Sequence, residues 1–210
     1  MPLVQTLLAF FGVSVLLALS PGPDNIFVLL QSAQHGWRAG VCVVIGLCIG
    51  IVGHTTAVAF GLAAVVAASA TAFTALKMVG AGYLLWLAWG ALRAPAVAVP
   101  KGQAAAAPIS YGRMVRRGVI LNLSNPKVLV FFLAFLPQFA NPQRGPVAQQ
   151  IAVLGLVFIL STLLVFGGIA VFSGTLGGLL LRSPRAQWVL NRGAGLVFLG
   201  LALRLATAQK

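Results

Sequence analysis

The sequence predicts an all-α polytopic membrane protein. About six transmembrane helices are expected, in two inverted three-helix repeats, with helices one and four broken at proline motifs. Three observations carry this. Hydrophobic residues fill 60% of the 210 positions and charged residues only 7%, against roughly half apolar and about a quarter charged in a soluble domain. With so few polar groups, lipid must be the solvent for much of the outside. The apolar residues also gather in long runs without period-2 alternation, which favours helices over barrel strands. Finally, a proline beside a charge recurs in each half, as Pro23-Asp24 and Pro126-Lys127.

Taken in order, the apolar stretches are Leu3–Leu30 (interrupted at Pro21–Asn25), Gly40–Val66, Ala72–Leu92, Gly118–Leu136, Ile151–Phe172 and Val189–Leu205. Each is long enough to cross a hydrocarbon core of about 30 Å with some tilt. The opening run could pass for a signal peptide, since Ala18-Leu19-Ser20 has a small-x-small end. It lacks a basic n-region and further apolar runs follow, so it reads as the first span. Residues 1–93 form the first expected repeat, 94–117 an Ala- and Pro-rich basic linker on the cytoplasmic side, and 118–210 the second repeat. Gly80-Ala81-Gly82 in span three and Gly193-Ala194-Gly195 in span six stand at corresponding places, as inverted repeats require.

The formal net charge is +13, from 14 Lys and Arg against one acid, Asp24. The basic residues lie mostly between apolar runs rather than on one polar face, so the charge points to lipid rather than nucleic acid. With the linker cytoplasmic, Arg38, Arg93, Lys101, Arg113, Arg116, Arg117, Arg182, Arg185 and Arg192 share its side. Lys77, Arg144, Arg204 and Lys210 take the other. That asymmetry puts both termini outside, although five spans with one terminus inside would also fit. Cys42 and Cys48 lie about 9 Å apart along one helix, too far for a bridge.

The chemistry concentrates at the prolines. In Ser20-Pro21-Gly22-Pro23-Asp24-Asn25 each proline removes a backbone donor and Gly22 adds freedom, so the helix should open there. Irregular backbone at membrane depth is tolerated only against protein or a wet cavity. Asp24 reads either as a cation- or proton-binding group or as a cap on the helix after Pro23. In Ser124-Asn125-Pro126-Lys127, Asn122 and Asn125 could satisfy carbonyls freed by Pro126. Lys127 could snorkel, pair with Asp24 or bind a substrate carboxylate. His54 reads as an interhelical hydrogen-bonding group or a ligand. His35 and Arg38 are expected in a loop, and Trp37, Trp86, Trp89 and Trp188 at interfaces or in packing.

Other chemistries have little to stand on. The chain has no P-loop, no HExxH and no Cys/His cluster, and a single carboxylate cannot supply a catalytic pair. Neither a cofactor nor a bound metal is expected, and the chain does not read as an enzyme.

The motifs resemble those of the LysE-type amino-acid exporters, especially the homoserine/threonine branch. The resemblance rests on Ser20 to Asn25, Gly53-His54, Leu76-Lys77, Gly80-Ala81-Gly82-Tyr83-Leu84, Asn125-Pro126-Lys127 and Leu136-Pro137-Gln138-Phe139, and it spans essentially the whole chain. It implies a multi-pass protein of the bacterial inner membrane that exports amino acids or related metabolites, driven by the proton gradient rather than ATP. Its partners would be a small amino acid, protons and the bilayer. Homodimer formation is left open. The alternatives are a metal-ion exporter, which one carboxylate serves poorly, and a thiol–disulfide carrier, which two cysteines on one span disfavour.

Overall fold

The computed structural model describes residues 1–20, 22–68, 70–94, 110–173 and 183–207. They form a helical bundle, and no strand occurs among them. The first apolar stretch is a bent pair, α1 (Val4–Leu19) and α2 (Pro23–His35), turning by 62° between its halves. Then come α3 (Trp37–Ala68) and α4 (Ala70–Arg93). The second bent pair joins α5 (Tyr111–Leu123) to α6 (Pro126–Val130) at 52°. The chain continues from α6 as a π-helical turn, Phe131–Phe135, and a 3-10 turn, Leu136–Phe139. Two long helices complete it, α7 (Val147–Val171) and α8 (Pro184–Thr207).

Both breaks have the cause expected for them. Pro23 and Pro126 occupy the first helical position, where a missing N–H costs nothing. The residue before each is pushed out of the helical region: Gly22 at φ −172°, ψ 178° and Asn125 at φ −77°, ψ 108°. Pro21, the other expected helix-breaker, lies outside the described residues, as do most of the linker and Lys101, Arg182 and Lys210.

Among the described residues α3, α7 and α8 can cross a membrane by length and composition, and with each bent pair as one crossing there are up to 5. The expected six is reached only by adding α4, which at 24 residues is long enough but is not among them. His35 and Arg38 are not in a loop. His35 ends α2, Arg38 sits in the first turn of α3, and only Gly36 separates the helices, at φ 82°, where a side chain would be strained. Arg113, Arg116 and Arg117 ride on the first turns of α5.

Packing fixes which ends lie together. α3 and α5 run side by side in the same direction, with Gly46 against Gly118 and Gly50 against Asn122. A Cβ on Gly46 or Gly118 would collide with the opposite backbone, so small residues permit the crossing. α7 runs antiparallel to α3, with Gly40 near Ala170 and Gly155 against Thr55. α8 runs antiparallel to α4, and Asn191 Nδ2 donates to Ala94 O at 3.4 Å. Hence Arg38, Arg93, Arg113, Arg116, Arg117, Arg185 and Arg192 gather at one end of the bundle, and Lys77, Arg144 and Arg204 at the other. Three exposed tryptophans mark the basic end, each under a guanidinium: Trp37 with Arg38, Trp89 with Arg93 at 3.7 Å and Trp188 with Arg192 at 4.8 Å.

Among the described residues two apolar cores fill the bundle. The larger holds Phe10, Leu17, Phe131, Phe135, Phe139 and Phe158, mostly toward the Arg204 end. The smaller holds Ala18, Val28, Val43, Leu47, Met114 and Phe166, toward the basic end.

Candidate functional site

The two breaks face each other at the seam between these cores. A cavity of about 10 Å³ lies there, with Leu17, Val128 and Phe158 of the larger core on one side and Ala18 and Phe166 of the smaller on the other. Asp24, Asn122, Lys127 and Thr162 supply its polar lining. That volume suits a single water. Asp24 is 3% exposed and Lys127 6%, so the chain's one acid and a buried lysine share one confined space between apolar and polar walls.

The charges are held by the broken helices rather than by contact with each other. Lys127 Nζ donates to the carbonyls of Leu17 at 3.3 Å and Ser20 at 3.1 Å, which α1 leaves unpaired where it ends. Its positive charge thus sits at the negative end of α1. Asp24 stands in the first turn of α2, where the free N–H groups favour an anion. No ion pair within 4.0 Å joins the two among the described residues. Lys127 therefore neither snorkels nor bridges directly to Asp24. Nor is Asp24 a cap: Gly22 is the N-cap of α2, with no side chain bonded there.

The asparagines divide between structure and site. Asn25 Nδ2 donates to Ala18 O at 2.7 Å across the first break, and Asn125 Oδ1 accepts from Lys127 N at 3.0 Å across the second. Their other side-chain atoms, Asn25 Oδ1 and Asn125 Nδ2, have no partner, and neither do Ser20 Oγ, Asp24 Oδ1, Asn122 Oδ1 and Thr162 Oγ1. Asn125 stands beside the Asp24 carboxylate. Buried polar groups are normally bonded, and three of these free atoms, on Asp24, Asn122 and Thr162, belong to residues that line the cavity, a lining suited to a polar solute.

His54 stands one step back. Its Nε2 lies 3.2 Å from Asn122 O, the ring packs 5.6 Å from that of Phe132, and it does not line the cavity. It acts across helices, steadying the end of α5. Gly22 touches the site directly: a Cβ there would stand 3.0 Å from Lys127 Nζ. Thr162 on α7 was not expected from sequence. A lone hydroxyl in an apolar helix ordinarily bonds the carbonyl four residues back, as Ser161 does to Val157 O at 3.0 Å, whereas Thr162 does not. Cys42 and Cys48 are free, both on α3.

Known proteins resemble this chain in sequence over nearly its whole length. The family model for the LysE type translocator matches residues 15–209. A homoserine/homoserine lactone efflux protein of Salmonella typhimurium is 35% identical over 96% of each chain. An uncharacterized membrane protein of Vibrio cholerae is 34% identical over 98% of each. A leucine efflux protein of Salmonella typhimurium is 29% identical over 93% of this chain and 92% of its own. No solved structure matches the chain. The apolar helices, the family model and these bacterial relatives agree: this multi-pass membrane protein is a transporter rather than an enzyme, and it belongs to the LysE type translocator family.

Proposed function

We propose that the chain exports small amino acids or closely related metabolites across the bacterial inner membrane as a proton-coupled secondary transporter, with the Asp24–Lys127 cavity as its substrate and coupling site. The observation that carries the reading is the pair of proline breaks turned toward one buried cavity, one bringing a carboxylate and the other an ammonium. An amino acid is a zwitterion and needs both. Asp24 Oδ1 and Asn122 Oδ1 are free to accept from its ammonium, and Asn125 Nδ2 and the remaining Lys127 donor can meet its carboxylate. The names of the relatives favour amino-acid substrates, homoserine and leucine among them.

The cavity as it stands is too small for such a solute, so the site must open alternately to either side. The two cores are the natural barriers, one closing the path toward the basic end and one toward the Arg204 end. The halves pack in a pattern that exchanges under a swap of repeats: α3 with α7, α4 with α8, and α3–α5 answered by α7–α1. This supports the inverted-repeat reading, in which rocking of one half against the other opens each side in turn. The arginine-rich, tryptophan-ringed end then faces the cytoplasm and both termini lie outside. Coupling follows from Asp24: a proton arriving on its carboxylate removes the charge that holds the substrate ammonium, so protonation drives release.

The test is efflux from amino-acid-loaded cells expressing Asp24→Asn. The expected result is loss of proton-dependent export at normal protein levels. Unchanged efflux that still follows the proton gradient would remove Asp24 from the mechanism. A metal-ion exporter remains the weaker reading, because no group of 3 or more His, Cys, Asp or Glu occurs among the described residues.

A further inference from the structure

A second, larger cavity of about 470 Å³ opens at the Arg204 end, among the start of α1, the turn after Phe139 and the last turns of α8. Its size is that of small-molecule sites. The polar groups facing it include Gln5, Gln138, Asn141, Arg144 and Arg204, and no carboxylate lines it among the described residues. Its wall is built rather than loose. Gln150, itself buried, donates to Asn141 O at 2.8 Å and to Gly145 O at 3.0 Å and accepts from Asn141 N at 3.0 Å, strapping the 141–145 turn in place.

The Arg204 guanidinium lies 4.8 Å over the ring of Phe139 and 5.9 Å over that of Phe135. From Phe139 the aromatic contacts run inward. Phe139 meets Phe10 edge-on at 5.1 Å, and Phe10 lies 6.5 Å from Phe158, which lines the Asp24–Lys127 cavity. The two cavities are thus separated by a short aromatic barrier capped by a cation.

We propose that this vestibule is a second binding station, in which Arg204 takes the carboxylate of a small amino acid on the far side of the Phe10–Phe139 barrier. The inference rests on the export reading and deepens it, by giving the released solute a place to go. The chemistry is selective: two guanidiniums with no acid beside them among the described residues favour an anion, and Arg204 presents a planar fork to a carboxylate. Arg204 also couples the station to the barrier. A carboxylate drawn onto the guanidinium competes with the Phe139 face for the same cation, loosening the cap on the barrier as the solute arrives.

The full-length protein in detergent can be treated with phenylglyoxal, which adds to guanidinium groups, and modification of Arg204 and Arg38 read by peptide mass spectrometry. L-Leucine, L-homoserine and propionate at saturation should each slow modification of Arg204 by roughly threefold or more, as a carboxylate held on the guanidinium would. 1-Aminopropane should not, and Arg38 at the far end should respond to none of them. Equal protection by the amine, or none by all three carboxylates, overturns the station. The same series on Asp24→Asn separates the two readings. Protection in a variant that exports normally sinks the central site and leaves the vestibule standing; lost export without protection does the reverse.

Discussion

The two proline breaks are built from the same parts and use them differently. In the first, the asparagine after the charge reaches back to a carbonyl of α1, and the carboxylate is left with an oxygen bonded to nothing. In the second, the asparagine before the proline caps its own helix, and the lysine crosses to the first break to bond two carbonyls of α1. The cation is part of the scaffold and the anion is not.

The sharpest way to break that contrast is Lys127→Met. It strands the Leu17 and Ser20 carbonyls, each costing about 1–3 kcal/mol when left unbonded. Both export and stability should suffer, read as lost efflux and a melting temperature several degrees lower, by about 2–4 °C per kcal/mol in a chain of this size. Asp24→Asn should remove export alone, with a melting temperature at or above that of the parent, because an unpaired buried charge is taken away. Equal destabilisation by both substitutions would erase the asymmetry. Gly22→Ala comes next: its Cβ would stand 3.0 Å from Lys127 Nζ and shift the ammonium off its carbonyls, so efflux should fall severalfold while the protein still folds. Gly22 has an extended backbone any residue can adopt, so backbone strain contributes nothing there. The smallest effect should come from His54→Phe, which gives up one hydrogen bond to Asn122 O worth about 0.5–1.5 kcal/mol. Melting should drop slightly with the substrate affinity unchanged, as befits a group outside the cavity.

Much of this was legible in the sequence because proline and charge are conspicuous in an apolar chain. The all-helical membrane fold follows from the long apolar runs. The breaks before Pro23 and Pro126, and the gathering of their charges about one cavity, follow from residues that are costly inside an apolar helix. What stayed hidden depends on tertiary register. Nothing local marks Thr162 as a lining residue, since its hydroxyl looks like that of Ser161 until α7 is packed. The close crossing at Gly46 and Gly118 needs two helices to be aligned before either glycine acquires a reason. The one-residue junction at Gly36 has no local mark, because the polar His35 and Arg38 around it suggest a loop. The π-helical turn at Phe131–Phe135, which buries Phe131, Phe132 and Phe135 together beside the second break, has no periodic signature at that length. In the sequence Arg204 enters only the charge asymmetry between the two sides, and its place over Phe135 and Phe139 depends on packing.

The claim on which the rest depends is that the Asp24 carboxylate holds the substrate's ammonium. Equilibrium binding by the purified protein and by Asp24→Asn tests it, using L-leucine and its counterpart without the amine, 4-methylpentanoate. The account predicts that the substitution weakens L-leucine about tenfold or more, an ion pair's worth in a closed site, and leaves 4-methylpentanoate unchanged or tighter. An equal loss for both ligands, or no loss for either, would contradict it.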